Sequence, residues 1–254
     1  MSTVPTHWFV ADTHFCESRP EHIDAFTRLC QLPKAGDSLL LLGDIFEIWI
    51  GDDLARPSDV AIEEQLLALT QRGVKLFLMH GNRDFMLGPA FAKRTGCKLI
   101  NDPTKWVLPN GQEALLTHGD WFCTDEVGYR RFRRISRNKL FQFLFKCLPS
   151  SRRKNIANKI RANSIAAHKR GGNRSYDANA GLIQQWFNKY SPINTIIMGH
   201  THLPNLHQQQ AQTRLVLGDW RDTLWYAKAS AENGVQLFEA DLKLTDAKLR
   251  FQFD

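Results

Sequence analysis

Thr195-Ile196-Ile197-Met198-Gly199-His200-Thr201-His202 is a short apolar run that halts at a glycine and delivers two histidines. A continuous apolar run of this length predicts a strand buried on both faces, as in α/β sheets. The same grammar occurs four more times. His7-Trp8-Phe9-Val10-Ala11 precedes Asp12-Thr13-His14, and Ser38–Leu42 precedes Gly43-Asp44. Val74–Met79 precedes His80-Gly81-Asn82-Arg83-Asp84, and Glu113–Thr117 precedes His118-Gly119-Asp120. In open α/β sheets ligands gather beyond the carboxyl ends of strands. Five such ends, supplying Asp12, His14, Asp44, Asn82, His118, His200 and His202, point to one site. Asp12/His14 and His200/His202 are i, i+2 pairs, so an extended backbone projects both members the same way. Gly43, Gly81, Gly119 and Gly199 let backbone approach a crowded centre. His7, His22, His80 and His207 fall outside the pattern and read as structural.

Imidazole combined with carboxylate and amide oxygen suits divalent first-row metals, not Cu(I) or iron–sulfur clusters. Seven such ligands exceed one tetrahedral site. They fit two cations about 3.5–4 Å apart that share a bridging carboxylate. A pair of this kind holds a hydroxide nucleophile and neutralises phosphoryl oxygens during in-line attack.

Between the strands lie helical patterns. Ala61–Arg72 carries Ile62, Leu66, Leu67 and Leu69 and ends before Gly73; Gly88–Thr95 ends before Gly96, a C′ glycine. Tyr176–Tyr190 carries Leu182, Ile183, Trp186 and Phe187 and then meets Pro192. Pro109-Asn110-Gly111 between Lys105–Leu108 and Glu113–Thr117 predicts a hairpin. After His202 the chain turns β-rich, at Arg214–Leu217, Leu224–Ala229, Gly234–Glu239 and Leu249–Phe253, which predicts a second sheet. Asp125 to Arg174 reads as two or three helices inserted between the fourth and fifth strand ends.

Over 254 residues, 43% apolar and 23% charged, the composition is that of a folded globular chain with a sizeable core. The longest apolar stretch, Leu140–Leu148, is broken by Gln142 and Lys146 and falls short of a membrane span. Met1 to Val10 lacks the pattern of an export signal. Five scattered cysteines without a C-x-x-C pair argue against disulfides and cysteine-bound zinc and suit a reducing cytoplasm. The net charge of +7 is unevenly spread. Arg130 to Arg174 holds 15 Lys/Arg and no acid, leaving 18 basic residues against all 26 acidic ones elsewhere. An acidic body with one basic insert points to an anionic partner. Within the insert Leu140, Phe141, Leu144, Phe145 and Leu148 share a helical face, widened by Phe143 and preceded by Phe132 and Ile135. Arg130, Arg131, Arg133, Arg134, Lys146, Arg152, Arg153 and Lys154 flank it, a pattern that fits an anionic membrane surface and a greasy cleft.

The blocks D-T-H, G-D, G-N-R-D, H-G-D and G-H-T-H, in that order over residues 12 to 202, resemble the calcineurin-like metallophosphoesterases. Longer phrases are similar to the family's branch that hydrolyses UDP-2,3-diacylglucosamine in lipid A biosynthesis. They are Gly43–Asp53, His80–Phe85, His118–Asp120 continuing through Cys123–Asp125 to Gly128-Tyr129, and Arg161-Ala162-Asn163-Ser164. The resemblance implies one four-layer α/β/β/α sandwich domain over 1–254, with residues 125–174 as a helical lid inserted in it. It implies two Mn2+: Asp12, His14 and His202 on one, Asn82, His118 and His200 on the other, and Asp44 between them. It places Asn82, Arg83, Tyr129, Ser164, His200 and an acid at Asp125 or Glu126 against the substrate, with His168, Lys169 and Arg170 beside them. Many metallophosphoesterases carry His after the motif Asn, where it protonates an alkoxide. Arg83 stays charged and cannot do so. A phosphate monoester, with a second pKa of about 6, leaves without protonation. Arg83 as a clamp therefore favours a pyrophosphate bond.

The expected reaction is attack of metal-bound hydroxide on the α-phosphorus, releasing UMP and 2,3-diacylglucosamine 1-phosphate. It would take place in the cytoplasm, peripherally on the inner membrane. The competing expectation is a dimetal phosphodiesterase or nuclease that uses the basic insert for nucleic acid. Single-strand binding calls for interleaved aromatics, whereas the insert gathers its apolar residues into a stripe. No P-loop or dinucleotide fingerprint is present.

Overall fold

A computed structural model describes residues 4–123, 133, 135–159 and 178–254. The leucine run of β2 (Ser38–Leu42) is buried along its whole length. Strand periodicity sorts its residues to two different cores. Leu39 and Leu41 pack beneath α1 (Pro20–Leu29), α2 (Pro57–Gln71) and α3 (Pro89–Thr95). Leu40 and Leu42 face a second sheet. The neighbours β1 (His7–Val10) and β3 (Lys75–Met79) divide in the same way: Val10, Leu76 and Leu78 lie on the helix side, Phe9 and Met79 between the sheets. These three strands and β4 (Lys98–Ile100) run parallel.

The second sheet is built on β6 (Glu113–Thr117), β7 (Thr195–Met198) and β9 (Gln212–Val216), which are parallel. Antiparallel edges are supplied by β5 (Thr104–Val107) and β8 (Asn205–Gln209). Leu116, Ile197 and Leu215 face the first sheet. Leu115, Ile196, Met198 and Val216 pack on Ile183 and Phe187 of the C-terminal helix Ala180–Lys189. The layers therefore run helix, sheet, sheet, helix, as expected.

Two details depart from expectation. The β-rich tail does not form the second sheet alone. Its last three strands, β10 (Thr223–Ser230), β11 (Gly234–Asp241) and β12 (Ala247–Phe253), extend the first sheet as antiparallel neighbours of β1. The free edge of β1 dictates this, because its unpaired backbone groups need partners. Helix α2 begins at Pro57, four residues before Ala61; proline suits the first helical position, and the Asp59 carboxylate accepts the Arg56 N–H at 2.9 Å. Helix α1, absent from the expected elements, buries His22 among Ala25, Phe26 and Leu29. Its apolar stripe has a gap that a histidine fills, with His22 Nε2 lying 2.9 Å from the Arg221 carbonyl.

The basic segment also departs from its reading. Arg133 and Arg153 are buried, not turned to a membrane. Arg133 donates to Asp102 at 3.0 Å and to Asp120, and lies 4.0 Å above the Trp121 ring. Arg153 grips Asp53 with both Nη atoms, while donating to the Ile50 and Leu148 carbonyls at 3.1 Å. Arg137 donates to the carbonyls of His80 and Gly81, both at 3.0 Å. Part of the anionic partner implied by the charge imbalance is thus the acidic body itself. Helix Lys139–Lys146 leaves Leu140, Phe143 and Leu144 more than half exposed, and Phe145 alone of its stripe packs on the helix-side core. Among the described residues no helix is long and apolar enough to cross a membrane. Arg130, Arg131, Phe132 and Arg134 lie outside the described residues.

Candidate active site

The five predicted strand ends do converge. Asp12 and His14 follow β1, Asp44 follows β2, Asn82 follows β3, His118 follows β6, and His200 and His202 follow β7. The means of convergence differs from the extended i, i+2 geometry expected. Asp12, His14, Asp44, His200 and His202 all have positive φ, between 48° and 71°. This left-handed region is sparsely populated by residues with a Cβ and marks strain held by its surroundings. The surroundings here are backbone bonds: Asp12 N–H to the Gly43 carbonyl and His14 N–H to the Asp44 carbonyl, both at 3.1 Å. Tight left-handed turns, not straight strands, aim the paired side chains. Glycine is required at two contact points. A Cβ on Gly81 would sit 2.1 Å from Asp44 Oδ1, and one on Gly199 would sit 2.4 Å from Asp12 Oδ2.

Two clusters result. In the first, His14 Nε2 and His202 Nε2 face each other at 3.2 Å, and His202 Nε2 lies 3.5 Å from Asp12 Oδ1. In the second, His118 Nε2 and His200 Nδ1 each lie 3.0 Å from Asn82 Oδ1. Asp44 Oδ1 is 3.7 Å from His118 Nε2. The ligand atoms of Asp12, His14 and His202 fall within 4.8 Å of one another, as do those of Asp44, His118 and His200. The donor set fits divalent cations. Asp12 Oδ1 is buried without a hydrogen-bond partner, and its neighbours offer imidazole nitrogens with no room for a hydrogen on each.

Electrostatics point the same way. Burial pushes the Asp44 carboxyl up to about 7, and burial together with His118 pushes His200 down to about 3. Burial opposes the charge on His202, but Asp12 and Asp219 outweigh it and raise that imidazole to about 10. Burial likewise disfavours ionised Asp12, but the bond to His202 and the surrounding histidines hold it below the usual carboxylate range. Near neutral pH protons therefore occupy the lone pairs for which a divalent cation competes.

Arg83 adjoins the second cluster. Its N–H donates to Asp44 Oδ1 at 2.8 Å, its Nε lies 3.6 Å from Asp44 Oδ2, and its Nη1 pairs with Glu47 at 2.6 Å. Asp84 is not its partner, since that carboxylate accepts the N–H groups of Ile45 and Gly81. His80 bonds to the Leu87 carbonyl, His7 packs on Trp106, and Trp49 is buried between Phe46 and Phe91. Asp125, Glu126, Tyr129, Ser164, His168, Lys169 and Arg170 lie outside the described residues.

Four carboxylates near the site went unread. Glu47 holds Arg83, and Asp219 lies 3.1 Å from His202 Nδ1. Asp102 accepts the His118 N–H at 3.3 Å, and Asp120 pairs with Arg133. One carried a readable signal: Leu215-Val216-Leu217-Gly218-Asp219 repeats the grammar of an apolar run followed by glycine and aspartate.

Comparison with known proteins agrees with this geometry. The calcineurin-like phosphoesterase family matches residues 6–204. A UDP-2,3-diacylglucosamine hydrolase of Aeromonas hydrophila is 40% identical over 217 residues, covering 84% of this chain and 89% of its own length. One of Tolumonas auensis is 40% identical over 229 residues, covering 88% and 92%. One of Pseudomonas fluorescens is 38% identical over 245 residues, covering 94% and 97%. Strand-end ligands, left-handed turns and similarity over most of the sequence agree, and the chain belongs to the calcineurin-like phosphoesterase family.

Proposed function

We propose that this chain hydrolyses the pyrophosphate bond of UDP-2,3-diacylglucosamine, giving UMP and 2,3-diacylglucosamine 1-phosphate. The observation that carries the reading is a pair of nitrogen and oxygen clusters with an arginine, not a histidine, beside the second. Relatives at 38–40% identity that bear this substrate in their name support it. Asp12, His14 and His202 hold one Mn2+; Asn82, His118 and His200 hold the other; Asp44 lies between them. When bound, the cations supply Lewis-acid charge to the phosphoryl oxygens and acidify the attacking water.

The chain's own groups do the rest. Glu47 and Asp44 fix the Arg83 guanidinium at the edge of the second cluster, where it binds phosphate oxygens and offsets charge that grows on the leaving phosphate. Arg83 supplies no proton, and a sugar phosphate leaves without one. Asp125 or Glu126, Tyr129, Ser164, His168, Lys169 and Arg170 take the nucleotide and sugar, a reading that rests on resemblance. Residues 125–174 form a lid within a single 1–254 domain. The exposed Leu140, Phe143 and Leu144 beside exposed Lys139 and Lys146 seat it on the anionic cytoplasmic face of the inner membrane.

Hydrolysis of detergent-dispersed substrate with manganese in oxygen-18 water tests the reading. Label in UMP is expected. Label in the lipid phosphate would overturn the site of attack, and cleavage of single-stranded DNA with no turnover of the lipid nucleotide would overturn the substrate.

A further inference from the structure

We propose that Asp219 is a positioning residue for the Asp12–His14–His202 cluster, holding His202 in the tautomer that turns the Nε2 lone pair toward a divalent cation. The proposal rests on reading that cluster as a cation site. His202 directs Nε2 at Asp12 Oδ1 and His14 Nε2, at 3.5 and 3.2 Å, and Nδ1 at Asp219 Oδ2, at 3.1 Å. A neutral imidazole has one N–H to place. With a carboxylate at Nδ1 the hydrogen is donated there, and Nε2 is left as an acceptor. His118 is built on the same plan with a weaker partner: its Nδ1 lies 2.9 Å from the Leu42 carbonyl, while Nε2 faces Asn82. Asp219 differs in carrying charge, which raises the basicity of the ring and offsets part of the charge of a bound cation.

Asp219 is itself held in place. Arg221 Nε donates to Asp219 Oδ2 at 2.6 Å. The next residue, Trp220, is fully buried and donates its backbone N–H to the Asp12 carbonyl at 3.2 Å. A Cβ on Gly218 would meet the Trp225 ring at 2.3 Å, so the preceding position admits glycine alone. The loop bearing Asp219 is therefore tied to the backbone of another ligand in the same cluster. It also lies beyond residue 204, where the family match ends.

The test titrates Mn2+ into chelator-stripped full-length protein, with free Mn2+ read by electron paramagnetic resonance. Wild type should show two binding steps. Asp219→Ala should weaken one of them by about 10- to 100-fold and leave the other within about 3-fold. In the stripped protein, 15N NMR should show His202 protonated at Nδ1 in wild type and shifted toward the Nε2–H tautomer in Asp219→Ala. Turnover at saturating Mn2+ should recover to within a few-fold, because the defect lies in holding the cation. Asp219→Asn, whose amide oxygen still accepts from Nδ1, should keep the tautomer and lose about 3- to 10-fold in affinity, which serves if the alanine variant does not fold. Arg221→Ala keeps the carboxylate and should change affinity by less than about 3-fold.

Two equal losses in Asp219→Ala, unchanged affinities there, or an equally large loss in Arg221→Ala would each overturn the proposal while leaving the two-cation reading intact. A wild-type protein that binds no divalent cation would overturn both.

Discussion

Replacing Arg133 with methionine tests how the basic segment is held to the body. The Arg133 side chain is 8% exposed, Asp102 3% and Asp120 fully buried. Methionine keeps the apolar stem and removes the charge, leaving two buried carboxylates without their guanidinium. Removing one partner of a buried ion pair costs roughly 3–5 kcal/mol. Asp102 keeps two other donors, Thr117 Oγ1 at 2.7 Å and the His118 N–H at 3.3 Å, so the lower end applies. The stacking of Arg133 over half-exposed Trp121 adds less than about 1 kcal/mol. We expect a loss of about 3 kcal/mol, measured by urea unfolding with tryptophan fluorescence and far-UV circular dichroism. Asp120→Asn on top of Arg133→Met removes one of the stranded charges. It should return enough stability to give a coupling energy above about 1.5 kcal/mol in the double-mutant cycle. A single mutant within about 1 kcal/mol of wild type, or strictly additive effects, would refute the view that this triad is a desolvated anchor.

Asp44→Ala should abolish nearly all turnover, by about a thousandfold or more in kcat, and retained activity would defeat the two-cation assignment. Arg83→His should not improve pyrophosphate cleavage, and a faster enzyme would count against the leaving-group argument. The bond from Arg153 holds Asp53 below the usual carboxylate range. A depressed folded pKa stabilises above the unfolded value of about 3.9 and loses that contribution as pH falls through the folded one. With Asp53 61% exposed the contribution is under about 1 kcal/mol. Thermal melts of Asp53→Asn should therefore trail wild type slightly at neutral pH and converge with it in acid; a gap that widens in acid would invert the sign. Leu140→Asp with Phe143→Asp, at positions 66% and 64% exposed, should leave the melting temperature unchanged. It should weaken co-sedimentation with phosphatidylglycerol vesicles by about tenfold or more, and undiminished binding would remove this helix from the membrane contact.

The legible part of this chain was the part in which sequence pattern and physics are local. Continuous apolar runs that stop at glycine located five strands and the seven side chains at their ends, because a buried parallel strand must be apolar on both faces and its end must turn. How those side chains meet was not legible, since the left-handed backbone at Asp12, His14 and His202 is imposed by bonds from neighbouring loops. The tail strands were found but assigned to the wrong sheet, because pairing is a contest between distant edges that local pattern does not encode. Arg133 and Arg153 looked like surface charge because burial depends on partners, here Asp102, Asp120 and Asp53, that lie up to 100 residues away. Asp219 could have been read, since Leu217-Gly218-Asp219 repeats Leu42-Gly43-Asp44.

Each cluster draws its members from both sheets: Asp12 and His14 from one with His202 from the other, and Asp44 from one with His118 and His200 from the other. The reactive centre is thus also the seam of the sandwich. Ions seated there act as rivets between the layers, so breathing of the two leaves against each other and loss of chemistry become a single event. Drift in sequence at the far rims, by contrast, can proceed without being felt at the hinge line where catalysis sits.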